Sequence, residues 1–152
     1  MIVFVLRHAD KLRGHGQDGL DDKGVARAKL LARMLAESNV SRAYCSEAIR
    51  TLQTIEPLQR KLGASLLIEK VEGEMHAAKV VAAVRSLPSE TVVLVVSHTD
   101  TVPQIITGLG GPIVEIADDQ FDKLFVLFRS DAAVSLAKLR YGEPTPPPSS
   151  HP

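Results

Sequence analysis

Residues 2–10 read IVFVLRHAD. Five apolar residues in a row, three of them β-branched, describe a strand. The lack of alternation describes a strand buried on both faces, as in a parallel sheet covered by helices. The run stops at Arg7 and His8, so a buried strand delivers a permanent cation and an imidazole side by side at its carboxyl end. In open α/β sheets, ligands bind beyond that end.

The rest of the chain extends the same pattern. Residues 11–20, KLRGHGQDGL, carry three glycines and no periodicity, which describes a loop. Asp21 is placed as the N-cap of a helix running to about Glu37, with Val25, Ala28, Leu31, Ala32 and Leu35 as its buried stripe. A short strand is expected at 42–46 and a helix over 47–63, with a kink or break near Pro57 and a stop at Gly63. A third strand follows at 65–69, then a helix from about Met75 to Leu87, closed by Pro88. ETVVLVVS (90–97) is the strongest strand signal. Residues 101–111 read as a helix with Pro103 in its first turn and glycines after its end. Residues 123–128 and 133–142 read as a final pair of strands. Alternating strands and helices followed by two strands predict an α/β domain: three layers, α/β/α, with a mostly parallel central sheet. It is expected to occupy residues 1–142. The Pro/Ser-rich tail EPTPPPSSHP (143–152) is expected to be extended and mobile, with no core to join.

Composition bounds the function. The chain has 152 residues, 45% apolar and 24% charged, with a formal net charge of zero. No global field exists to draw nucleic acid or an anionic membrane, so neither is expected as a partner, and any anion site must be local. The opening MIVFVL is too short for a signal-peptide core, and no run reaches the ~18–20 apolar residues of a membrane span. The single cysteine, Cys45, excludes an internal disulfide and reads as a small core residue. A cytoplasmic location is expected. Oligomeric state is left open.

The chemistry-bearing residues follow strands. Arg7 and His8 follow the first. SEAIRT (46–51) follows the second and sets Arg50 one turn into a helix. SHTDT (97–101) follows the fourth and sets His98 at a strand end. Two arginine forks match the oxygens of a phosphate, and helix N-termini near Ser46 and Thr101 offer further amide donors. A neutral imidazole with one free nitrogen can attack phosphorus, and fixed cationic donors suit the charge of the transferring group. The other histidines carry less. His15 reads as a solvent-exposed loop residue, His76 as a helix-start residue and His151 as an inert tail residue. Lys11 and Arg13 either attract an anion or form a solvated face. His98 and Asp100 lack a third ligand of metal spacing, so no metal is expected.

These segments together resemble the histidine phosphatase superfamily, whose fold is phosphoglycerate mutase-like. LRHAD resembles its arginine–histidine signature. LDDKGVARAKLLARML (20–35), YCSEAIRTLQT (44–54), VVLVVSHTDTVPQII (92–106), FDKLFVLF (121–128) and LRYG (139–142) resemble its later segments, in order. The resemblance implies His8 as nucleophile; Arg7, Arg50 and His98 as the phosphate-binding shell; and no metal or organic cofactor. Ala9 stands where the family usually has glycine. An acidic proton donor after the third strand is implied for the larger members. Here EKVEGEMHA (69–77) offers Glu69, Glu72 and Glu74, with Glu74 favoured because it just precedes a helix; Asp100 is a further candidate, and the resemblance also allows no such acid, as in the smallest members, which act on phosphohistidine proteins. The implied activity is a phosphatase acting through a phosphohistidine on a phosphorylated small molecule or a phosphohistidine protein. The alternatives are a phosphoglycerate-type mutase and a non-catalytic phospho-ligand binder.

Overall fold

A computed structural model describes residues 1–147. The elements run β1 (Ile2–Arg7), α1 (Asp22–Leu35), β2 (Arg42–Cys45), α2 (Ile49–Leu62), β3 (Leu67–Lys70), α3 (His76–Arg85), β4 (Val92–Ser97), α4 (Thr101–Gly108), β5 (Lys123–Arg129) and β6 (Val134–Arg140). They form one six-stranded sheet in the order β3-β2-β4-β1-β5-β6. β3, β2, β4 and β1 are parallel, and β5 and β6 close the sheet antiparallel.

The continuous apolar runs are explained by burial on both faces. Along β4, Val93 and Val95 face a core shared with Val80, Val84 and Ile105 of α3 and α4. Leu94 and Val96 face the opposite core, shared with Leu31, Ile55 and Leu58 of α1 and α2. This is the expected three-layer arrangement. Adjacent strands β1 and β4 send their helices to opposite faces, so the crevice at their carboxyl ends is a topological switch point, where such folds bind ligands. Among the described residues, no helix is long and apolar enough to cross a membrane.

Several boundaries move, each for a local reason. A 3-10 turn at Gly63–Ser65 takes up the start of the expected third strand. α3 is shorter than expected, ending at Arg85, whereas α4 ends at Gly108, with Gly110 and Gly111 after it as expected. α2 runs through Pro57 without interruption. The stripe of α1 is rotated: Val25 is 41% exposed, whereas Gly24 and Arg27 are buried. Arg27 goes inside because Asp10 receives its Nε at 2.7 Å and the Tyr141 carbonyl receives its Nη1 at 2.6 Å. Gly24 lies against the Asp10 backbone, and a Cβ there would overlap the Asp10 carbonyl. Asp21 caps α1 as expected, accepting the Gly24 amide at 2.8 Å.

The described start of the tail packs back on the domain. Thr145 Oγ1 accepts the Phe121 amide at 2.7 Å and lies 3.1 Å from Asp122 Oδ1. His151 lies outside the described residues.

Candidate active site

The carboxyl ends of β1, β2 and β4 open into one cleft of about 630 Å³, whose lining includes Arg7, His8, Arg50, Glu74, His98 and Asp100. His8 is the residue immediately after β1, and its amide donates to the Ser97 carbonyl at 2.9 Å, continuing the β1–β4 ladder one step past the strand. The next amide, Ala9, donates to Thr54 Oγ1 of α2 at 2.9 Å. Thr54 in turn donates to the Arg50 carbonyl at 2.8 Å. The backbone around His8 is therefore held by strand β4 on one side and helix α2 on the other.

Among the described residues, the imidazole of His8 is oriented by a single bond. Its Nδ1 lies 2.8 Å from the Ala9 carbonyl oxygen. A carbonyl only accepts, so Nδ1 carries the hydrogen, and in the neutral ring Nε2 is the nitrogen with the free lone pair. Burial pushes the ring's pKa down to about 3, aided by the charges of Arg7 and Arg50 and opposed by the Ala9 bond. His8 is thus a neutral imidazole throughout the ordinary pH range.

His98 sits with its ring centroid 5.5 Å from that of His8, edge to face. Its Nε2 pairs with Ser46 Oγ at 2.8 Å. Burial, then the charge of Arg50, lowers its pKa as well. Ser46 also receives the Ala48 amide at 3.2 Å, tying His98 to the entry of α2.

The two arginines are fixed differently. Nη1 of Arg7 donates to the carbonyls of Asp118 at 2.8 Å and Gln120 at 3.0 Å. Its guanidinium carbon lies 3.9 Å from the centre of the Phe121 ring. Arg50 pairs through Nη1 with Asp18. The Nε atoms of both arginines are buried without a hydrogen-bond partner among the described residues. Two guanidinium forks with unused donors beside two buried imidazoles in one cleft make a site for an oxyanion.

The carboxylates divide. Glu74 and Asp100 line the cleft; Glu69 and Glu72 do not. Asp100 Oδ1 accepts the Thr101 amide at 2.9 Å and caps α4. Glu74 is exposed on the loop before α3. His15 is exposed in its loop. Cys45 is fully buried, with its thiol pKa raised by that burial. Lys11 lines the cleft, and Arg13 lines a neighbouring one of about 1060 Å³ that shares Arg7 and Lys11 with it. Among the described residues, no three His, Cys, Asp or Glu side chains are grouped to hold a metal ion.

Sequence reasoning missed Asp18, Phe121 and the inward role of His76. Phe121 stacks on Arg7 and lies 6.0 Å from the His8 ring, centroid to centroid. It belongs to an irregular loop with no periodicity, so no local signal marks it. Asp18 was visible only as an acidic residue in a glycine-rich loop.

Residues 4–77 match the family model described as Histidine phosphatase superfamily (branch 1). The match takes in Arg7, His8, Arg50 and Glu74 and stops short of His98. No curated protein matches the chain. Solved structures share the fold over nearly its whole length. An Agrobacterium tumefaciens protein assigned as the phosphohistidine phosphatase SixA is 21% identical, with a TM-score of 0.63 over 94% of this chain and 98% of that one. The alpha-ribazole phosphatase of Shigella flexneri is 14% identical, with a TM-score of 0.69 over 92% and 96%. A mycobacterial glucosyl-3-phosphoglycerate phosphatase, solved with VO3, is 14% identical, with a TM-score of 0.63 over 90% and 96%.

Proposed function

We propose that this histidine phosphatase superfamily chain is a metal-independent phosphatase that hydrolyses a phosphomonoester or a phosphohistidine through a phosphohistidine on His8. The observation that carries the reading is the bond from His8 Nδ1 to the Ala9 carbonyl at 2.8 Å, which leaves Nε2 unprotonated in a cleft lined by Arg7, Arg50 and His98.

In the first step, His8 Nε2 attacks phosphorus. The new P–N bond forms as the bond to the leaving group breaks, and Glu74 supplies the proton that the departing oxygen or nitrogen needs. Arg7, Arg50 and His98 hold the three equatorial oxygens, where the charge lies. In the second step, water attacks phosphorus, the P–N bond breaks, its electron pair returns to Nε2, and inorganic phosphate leaves. The deprotonated Glu74 takes the proton from that water, which restores the acid. A neutral ring suits both steps, because it is nucleophilic in the first and becomes a cationic leaving group once phosphorylated.

The substrate class is a phosphohistidine protein or a phosphorylated small molecule, a reading supported by the fold shared with the phosphohistidine phosphatase SixA and the alpha-ribazole phosphatase. The fitting compartment is the cytoplasm, where a lone buried thiol stays reduced. The test is phosphate release from an aryl phosphate, with and without chelator, together with acid-labile phosphate on the protein after brief exposure to substrate. Both signals should vanish in His8→Ala and survive the chelator. Retained turnover in His8→Ala would remove His8 from its assigned role.

A further inference from the structure

His76 is a buried histidine that the proposed chemistry leaves unused; it is 4% exposed. It opens α3, and its ring touches two different parts of the fold. Nδ1 lies 2.7 Å from the carbonyl oxygen of Val71. Nε2 lies 2.8 Å from Ser97 Oγ, at the last residue of β4. Ser97 Oγ is in turn bonded to Thr101 Oγ1. Thr101 Oγ1 accepts the backbone amide of His98 at 3.0 Å.

Both ends of this chain are fixed in direction. A backbone N–H only donates and a backbone carbonyl only accepts. With the His76 ring neutral, one arrangement pairs every group. The His98 amide donates to Thr101, Thr101 to Ser97, Ser97 to His76 Nε2, and His76 Nδ1–H to Val71. In such a chain each bond polarises the next, and removing one member leaves a buried neighbour unpaired.

The chain joins two walls of the cleft. Val71 and His76 bracket the loop that carries Glu74, so the ring closes that loop at its neck. The same ring then grips the end of β4, one residue before His98. We propose that His76 is a positioning residue that registers the Glu74 loop against the His98 strand end, so that the proton donor meets the leaving group as the phosphoryl group passes to His8. The inference rests on the phosphatase reading above.

A histidine that merely filled the core would, when replaced, slow all substrates alike. A histidine that positions the acid affects most those substrates that need the acid. General acid catalysis contributes ~10²–10⁴-fold where the leaving group is poor and little where it is good. The experiment measures kcat/KM on the full chain for a series of aryl phosphates, from nitrophenyl to unsubstituted phenyl. In His76→Phe the loss should be about tenfold larger for the phenyl than for the nitrophenyl ester, a fraction of the acid's full effect. Ser97→Ala, which cuts the same chain from β4 with a smaller change of volume, should show the same steepening. His76→Gln, whose side-chain oxygen can accept from Ser97, should recover part of it. A uniform loss across the series in folded His76→Phe and Ser97→Ala, or no loss, overturns the proposal while leaving the phosphatase reading intact. If the wild-type chain releases phosphate from none of the esters, the phosphatase reading itself fails, and this inference fails with it.

Discussion

Asp18 and Arg50 lie 32 positions apart and form an ion pair at the edge of the cleft, and the same carboxylate accepts the Ile49 amide at 2.9 Å through its other oxygen. The loop after β1 thus caps α2, whose own N-cap residue, Ala48, offers no side-chain bond. The Ile49 amide, then Arg50, hold the Asp18 carboxyl below the usual carboxylate range. This places a negative charge on the guanidinium that a phosphate would share.

That geometry sets the first prediction. Asp18→Asn keeps the side chain's size and an acceptor for the Ile49 amide but removes the competing charge. Inorganic phosphate should bind roughly three to five times more tightly at low ionic strength, as suits a half-exposed pair worth about 1 kcal/mol or less. The gain should shrink as salt is raised. Competitive inhibition by phosphate reads both effects. Weaker binding in Asp18→Asn would mean that the carboxylate's hold on Arg50 outweighs its competition for it.

A second prediction concerns pH and stability. The folded pKa of His8 is pushed down to about 3, whereas an unfolded histidine titrates near its ordinary value of about 6.5. Between those values the unfolded chain binds a proton that the folded ring refuses. Stability therefore rises with pH from about 3 to about 6.5 on account of this group and is level above. In urea unfolding at stepped pH, His8→Gln should lose up to one proton's worth of slope between pH 4 and 6 relative to wild type. Identical slopes would show that the ring is not held neutral in the native state.

The strand-end residues were legible because a parallel sheet brings the residues that follow its strands to one edge, whatever their separation in sequence. His8 and His98 need only the strands before them, and the register Arg7 to Ser97 does the rest. Arg27 was not legible, because a period of 3.6 ranks residues by polarity and an arginine is assigned to water. Its burial depends on Asp10 and on a carbonyl 114 positions away. A hint existed: Asp10 follows a buried run, and a carboxylate taken out of water needs a partner. Phe121 and the two bonds of His76 are long-range contacts that no local pattern encodes. In the loop after β3 the sequence favoured Glu74 because it just precedes a helix, and Glu74 does line the cleft, whereas Glu69 and Glu72 do not.

Phe121 supports the last prediction. Its ring lies under the Arg7 guanidinium at 3.9 Å, and its amide is anchored by Thr145 from the beginning of the tail. Arg7 is 9% exposed, so the stacking occurs in a largely desolvated setting, where a cation over an aromatic face is worth about 1–2 kcal/mol. Phe121→Leu keeps apolar bulk and removes the ring's negative face. The Nη1 bonds to the Asp118 and Gln120 carbonyls remain, but one side of the guanidinium plane loses its support. Phosphate affinity and kcat/KM for an aryl phosphate should each fall about five- to twentyfold, in line with that energy. Thr145→Val leaves the ring in place and removes its anchor, so it should show a smaller loss in the same direction. Unchanged phosphate affinity in both variants would assign Phe121 to packing alone and leave the hold on Arg7 to the two carbonyls.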